Sequence, residues 1–140
     1  MKNILFVCKY NRFRSKVANA YFKQLNKNKN INSDSAGIFP GSYPLDGVQY
    51  KITKKLGVNI SGRPKGINLK LLKEQDIIVI VADNVPPSLF KSNKNYKRKL
   101  IIWKIKDESF GREKNIKKIV FQIKGKVEKF IKQLEKEGRK

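Results

Sequence analysis

There is no histidine in this chain, and there is only one cysteine. A zinc site is thereby left without its usual nitrogen and sulfur ligands, and an internal disulfide cannot form. Nothing in the sequence calls for a cofactor. No apolar run approaches the ~18 residues needed to cross a bilayer. The opening "MKNILFVCKYN" is too short for a secretory apolar region and has no small-residue cleavage site, so a cytoplasmic protein without a membrane span is expected. Acidic residues are scarce, 11 against 33 Lys and Arg, which leaves a net charge of +22. Such a charge attracts nucleic acid, anionic membranes and acidic substrates. The lysines are scattered along the whole chain among abundant asparagines, which fits a compositional bias better than a nucleic-acid footprint clustered on one face. Nucleic acid is therefore a less favoured partner than a phosphorylated ligand. Repeats and linkers are also absent. With 39% apolar residues in 140, one domain spanning 1–140 around one core is expected.

What is present alternates between strand and helix patterns. "KNILFV" (Lys2–Val7) reads as a buried strand, and Ser15 to about Asn26 as a helix with Val17, Ala18, Tyr21, Phe22 and Leu25 on one face. "INSDSAG" reads as a second strand ending at Gly37, followed by the Gly- and Pro-rich loop "IFPGSYPLDG". Val48, Ile52 and Leu56 mark the inward face of a helix that closes at Gly57. Leu69–Leu72 suggests a short helix, Asp76–Asn84 the strongest strand, and Lys99–Ile105 a fourth. From Glu113 onward, Ile116, Ile119, Val120, Ile123, Val127, Phe130, Ile131 and Leu134 recur at spacings of three and four, as in a long amphipathic helix. The alternation predicts an α/β three-layer sandwich. It has a four-stranded parallel sheet, helices on both faces and a phosphate-binding loop after the first strand. Ligands of such sheets bind beyond the carboxyl ends of the strands. Cys8, Ser35-Ala36-Gly37 and Asp107 fall at such ends.

The segment Cys8-Lys9-Tyr10-Asn11-Arg12-Phe13-Arg14-Ser15 links the first strand to the first helix. Successive N–H groups in a loop of this kind can turn inward as an anion-binding nest, reinforced by the helix dipole. A thiol at its rim sits in positive potential, which favours the thiolate. Arg14 offers a planar fork suited to two phosphate oxygens. Ser15 can donate to the sulfur or cap the helix. The competing reading is that Cys8, after an apolar run, is an ordinary core residue.

A strand, then C-x5-R-S opening a helix, then "SAG" about twenty residues on, "LGVNIS" and a long final helix together resemble the low-molecular-weight protein tyrosine phosphatases. The resemblance covers nearly the whole chain. It implies that Cys8 is the nucleophile, that Arg14 binds phosphate and that Asp107, in "IKDESFG", is the general acid. It also implies that Asn11 holds the loop conformation, that Ser15 stabilises the thiolate and that Ser35 belongs to the network behind the loop. No metal is needed. The chain departs from the family where Asp-Pro-Tyr becomes Asp107-Glu108-Ser109, where a second cysteine is replaced by Phe13, and where Gly62 stands in place of a His. Pocket walls are expected from Lys9, Tyr10, Arg12 and Phe13, from Phe39 and Tyr43, and from Phe110, which can supply the missing ring.

The resemblance implies phosphomonoester hydrolysis through a phosphocysteine. The substrate would be a phosphorylated protein or a small aryl phosphate; phosphotyrosine and phosphoarginine both fit. Two other readings stay open. An arsenate reductase of the thioredoxin-coupled kind needs two further cysteines and is excluded by count, but one relying on an external thiol is not. A phosphatase-like binding module using its basic surface would also fit the altered acid loop. A phospho-carrier domain shares a cysteine at a strand end but has no use for Arg14.

Overall fold

The computed structural model describes residues 2–90, 98–107 and 112–138. Its centre is a four-stranded sheet in the order β2-β1-β3-β4, built from β1 (Lys2–Cys8), β2 (Ile31–Gly37), β3 (Ile77–Val81) and β4 (Lys99–Trp103). Every neighbouring pair is parallel. Parallel neighbours require crossovers, so all four carboxyl ends lie on one edge. The register pairs Cys8 with Gly37, which brings the first two candidate ends side by side.

The two inner strands are apolar on both faces because both faces are covered. Ile4 and Phe6 of β1, with Ile77, Val79 and Val81 of β3, face the larger core. It is closed by α1 (Arg14–Leu25), α2 (Gly47–Lys55) and α4 (Glu113–Gly138). Phe6, Phe22, Trp103 and Phe130 meet there, with ring centroids 5.7 to 6.3 Å apart, and join α1 and α4 to the sheet. Leu5 and Val7, with Ile78 and Ile80, face a smaller core that also holds Cys8 and Phe90. That side is covered by α3 (Leu69–Lys73) and a 3₁₀ turn (Pro87–Phe90). The sandwich is therefore lopsided, with its long helices on one face.

Observed boundaries fall close to the expected ones, with reasons for the differences. β3 stops at Val81, short of Asn84. Ala82 and Asp83 still donate to the carbonyls of Trp103 and Ile105, but the chain is already turning to bring Asp83 and Asn84 toward Arg14. β4 stops at Trp103 because Ile105 N–H bends back to the Trp103 carbonyl. In α2, Val48 does not share the inward face with Ile52 and Leu56. It is 37% exposed, and the buried stripe runs through Gln49, Ile52 and Thr53. The face is rotated because Asp46 caps the helix and sends polar Gln49 inward. Gly57, at φ 75, ends the helix as expected. Among the described residues, no helix is long and apolar enough to cross a membrane.

Candidate active site

The segment between β1 and α1 wraps around the Cys8 sulfur. The carbonyls of Cys8, Lys9 and Tyr10 accept from the N–H groups of Ile38, Phe39 and Gly41, which continue the β1–β2 pairing past the strand ends. The next residue, Asn11, turns the chain with φ 55. Asparagine tolerates this left-handed conformation better than most residues with a Cβ. Its N–H points inward and donates to Cys8 Sγ at 3.3 Å. Gly37 is needed beneath this turn. A Cβ there would lie 2.6 Å from Asn11 N and 2.7 Å from the Tyr10 carbonyl carbon. The glycine of "SAG" thus makes room for the loop backbone.

The Asn11 side chain organises the floor. Its Oδ1 accepts from the Lys65 backbone N–H at 2.9 Å. A backbone N–H only donates, so this contact fixes the amide orientation. Nδ2 then donates to Ser15 Oγ at 2.8 Å and to Ser35 Oγ at 3.0 Å. With its oxygen accepting from Asn11, Ser15 is free to aim its own proton at Cys8 Sγ, 3.0 Å away. The sulfur thus has two donors, the Asn11 N–H and the Ser15 hydroxyl. Cys8 is 2% exposed. It is a core residue by burial and a cavity residue by position.

Arg14 lies in the first turn of α1 and is also buried. Its Nη1 donates to the Ile105 carbonyl at 2.9 Å and its Nη2 to Asn84 Oδ1 at 3.0 Å, with Asp83 Oδ1 3.6 Å from Nη1. The ends of β3 and β4 therefore hold the guanidinium in one plane. A cavity of about 220 Å³ is walled by Cys8, Tyr10, Arg12, Phe13, Arg14, Asp46, Gln49 and Asp107. Asp46 is buried there while capping α2, accepting from the Val48 and Gln49 N–H groups. Arg12 donates to Ser42 Oγ and to the Pro44 carbonyl, which ties the loop to the segment after β2.

The expected site residues are thus only partly gathered. Cys8, Tyr10, Arg12, Phe13, Arg14 and Asp107 share the cavity, and Asn11, Ser15 and Ser35 lie beneath it. Lys9 lies over the Tyr10 ring, 5.2 Å from its centroid. Phe39 and Tyr43 are not among the cavity walls. Both are more than half exposed; Phe39 leans on Tyr10 and Tyr43 carries the Arg63 guanidinium. Glu108, Ser109 and Phe110 lie outside the described residues.

Sequence reasoning does not single out Lys16, Asp46, Gln49, Asp83 or Asn84. Asp46 had a local signal, as a helix-capping residue type before the α2 pattern. Lys16 had another: a lysine in the first turn of a helix opposes the macrodipole, so something else must hold it there. It is 8% exposed, and its Nζ donates to the carbonyls of Gly62 at 2.8 Å and Ser61 at 3.3 Å. Burial pushes its ammonium below the ordinary lysine range; the charge on Cys8 opposes that shift and Lys65 adds to it.

The profile of the family described as low molecular weight phosphotyrosine protein phosphatase matches residues 3–140. No curated protein matches the chain. Among solved structures, a low molecular weight protein tyrosine phosphatase from T. tengcongensis is similar. It shows 26% identity and a TM-score of 0.82, over 95% of this chain and 99% of that one. The YwlE arginine phosphatase from Geobacillus stearothermophilus superposes with a TM-score of 0.84 at 16% identity, over 98% and 95%. An arsenate reductase from Archaeoglobus fulgidus does so at 0.70 and 22%, over 91% and 98%. The last two likenesses concern the fold alone. Matched from its third residue to its last, the chain belongs to the low molecular weight phosphotyrosine protein phosphatase family, and on that ground it is a cysteine-dependent phosphatase.

Proposed function

We propose that the chain hydrolyses phosphomonoesters of the phosphotyrosine type through a phosphocysteine on Cys8, with Arg14 binding the phosphoryl group and Asp107 as general acid and base. The observation that carries this reading is the Cys8 sulfur between two donors, Ser15 Oγ at 3.0 Å and Asn11 N at 3.3 Å, in a cavity it shares with Arg14 and Asp107.

In the first step the thiolate attacks phosphorus. An S–P bond forms, the P–O bond to the leaving group breaks, and Asp107 gives its proton to the departing oxygen. In the second, Asp107 takes a proton from water, the water oxygen attacks phosphorus, and the S–P bond breaks to return thiolate and inorganic phosphate. Arg14 supplies fixed charge to the equatorial oxygens. Its fork is held by Ile105 and Asn84 before substrate arrives, so little reorganisation remains at the moment of reaction. Tyr10 at the cavity wall, half-exposed, offers a ring to an aryl substrate. The substrate is accordingly a phosphorylated protein or a small aryl phosphate.

The test is hydrolysis of p-nitrophenyl phosphate and phosphotyrosine by the wild type and Cys8→Ser. Complete loss in the variant is expected. Turnover at the wild-type rate by Cys8→Ser would overturn the assignment.

A further inference from the structure

Lys16 is the one buried cation in α1 that the proposed chemistry leaves without a task. It follows Ser15, whose oxygen is 3.0 Å from the Cys8 sulfur. Its ammonium crosses to the segment after α2 and is held by the Ser61 and Gly62 carbonyls. Gly62 suits the turn of this segment: its φ is +105, a conformation that favours glycine, and a Cβ there would be in ordinary contact with Lys16 Nζ at 3.6 Å. Three residues later the same segment presents the Lys65 N–H that fixes Asn11 Oδ1, and the Lys65 carbonyl that accepts from Gly37 N–H at 2.8 Å. The ammonium and the Asn11 amide thus grip one strap at two points, three to four residues apart.

Among the described residues, no carboxylate lies within ion-pair distance of Lys16. Asp34, which shares with it a cavity of about 510 Å³ behind the loop, is already paired with Lys65. Lys23 and Arg63 also line that cavity and add positive charge. On the front side Cys8 faces Arg12, Arg14, Asp46 and Asp107. A buried ammonium is expensive without negative charge nearby. Carbonyl oxygens offset part of that cost, and a sulfur carrying negative charge offsets more.

We propose that Lys16 is a positioning residue for Cys8: it ties the 61–65 strap to α1, thereby holds Asn11 and Ser15 in their donating geometry, and places a fixed positive charge behind the sulfur. Cys8 in turn opposes the effect of burial on the Lys16 ammonium. The inference rests on the reading of Cys8 as nucleophile, and the experiment separates the two.

Cys8 is the only cysteine, so its alkylation by iodoacetamide reads the site alone. Rates are measured from pH 5 to 9 for wild type, Lys16→Met, Lys16→Gln and Lys16→Arg, beside p-nitrophenyl phosphate turnover and thermal unfolding. Removing a cation near a thiolate disfavours it. The alkylation midpoint should move to higher pH in Lys16→Met and Lys16→Gln, with kcat reduced roughly tenfold. Lys16→Arg should restore most of both. Lys16→Gln keeps an N–H donor for Gly62, so it isolates the charge even if Lys16→Met fails to fold. A folded Lys16→Gln with the wild-type alkylation profile and kcat would overturn the proposal. If Cys8→Ser retains turnover, the nucleophile assignment falls instead, and the alkylation profiles still judge Lys16.

Discussion

The two walls of the cavity are built differently. On the Cys8 side, Arg14 in the wall and Asn11 and Ser15 beneath it are 3%, 2% and 0% exposed, and each side chain is hydrogen-bonded to a partner from another part of the site. On the opposite wall Asp107, the proposed acid, is exposed, two residues past Ile105, which is fully buried. Rigid donors suit the task of holding charge, because their orientation is settled during folding. In the proposed mechanism the acid must reach a leaving group whose position changes with the substrate, a task suited to an exposed residue next to a buried anchor. If these roles hold, the difference means that phosphate binding and leaving-group chemistry are separable by mutation.

The strongest way to break that comparison is at the acid. Asp107→Asn should slow the phosphorylation of Cys8, followed in single turnovers, by ~10²–10⁴-fold for alkyl phosphates and far less for p-nitrophenyl phosphate, whose leaving group needs little protonation, while steady-state turnover falls for both because the same residue activates water. Equal losses for both in the phosphorylation step would remove Asp107 from the acid role. On the opposite wall, Arg14→Lys should cost roughly 10²–10³-fold in kcat for every leaving group alike, because a point charge cannot reproduce the fork. A loss graded by leaving group would contradict the division of labour.

Smaller changes sharpen the edge of the site. Tyr10→Ala should raise KM for p-nitrophenyl phosphate by about 2–10-fold, as expected for one aromatic contact of ~0.5–1.5 kcal/mol. Tyr43→Ala should leave KM unchanged, since Tyr43 is outside the cavity. Steady-state kinetics of the pair would show whether the pocket ends at Tyr10. The smallest effect concerns stability. Burial lowers Lys16 below its ordinary value of 10.5, so between the folded and ordinary values the unfolded chain binds more protons. Stability from this group therefore rises with pH across that window. The urea midpoint of wild type relative to Lys16→Met should increase as pH rises toward the ordinary lysine value of 10.5.

Legibility followed sequence distance. Cys8, Asn11, Arg14 and Ser15 lie within eight consecutive residues, and the chemistry of a strand, a turn and a helix start is local enough to read directly. The amphipathic face of α4 was equally plain, because burial of a long helix leaves a period of three and four. The partners of Arg14 were not plain. Asp83, Asn84 and Ile105 meet it only because β3 ends beside β1 and β4 beside β3 in the sheet. The inward face of α2 was misplaced toward Val48 because an apolar pattern cannot announce that a glutamine will be buried beside a cavity.

The sequence by itself determined the alternation of strands and helices, the single thiol at a strand end and the arginine six residues on. Those follow from periodicity and residue chemistry. Only the tertiary structure decided that Gly37 must lack a side chain beneath Asn11. It alone decided that Lys65 lends a backbone N–H to the loop, and that Lys16 is buried against Ser61 and Gly62. These are contacts between segments more than twenty residues apart. Their partners are chosen by strand order and close packing rather than by any pattern along the chain.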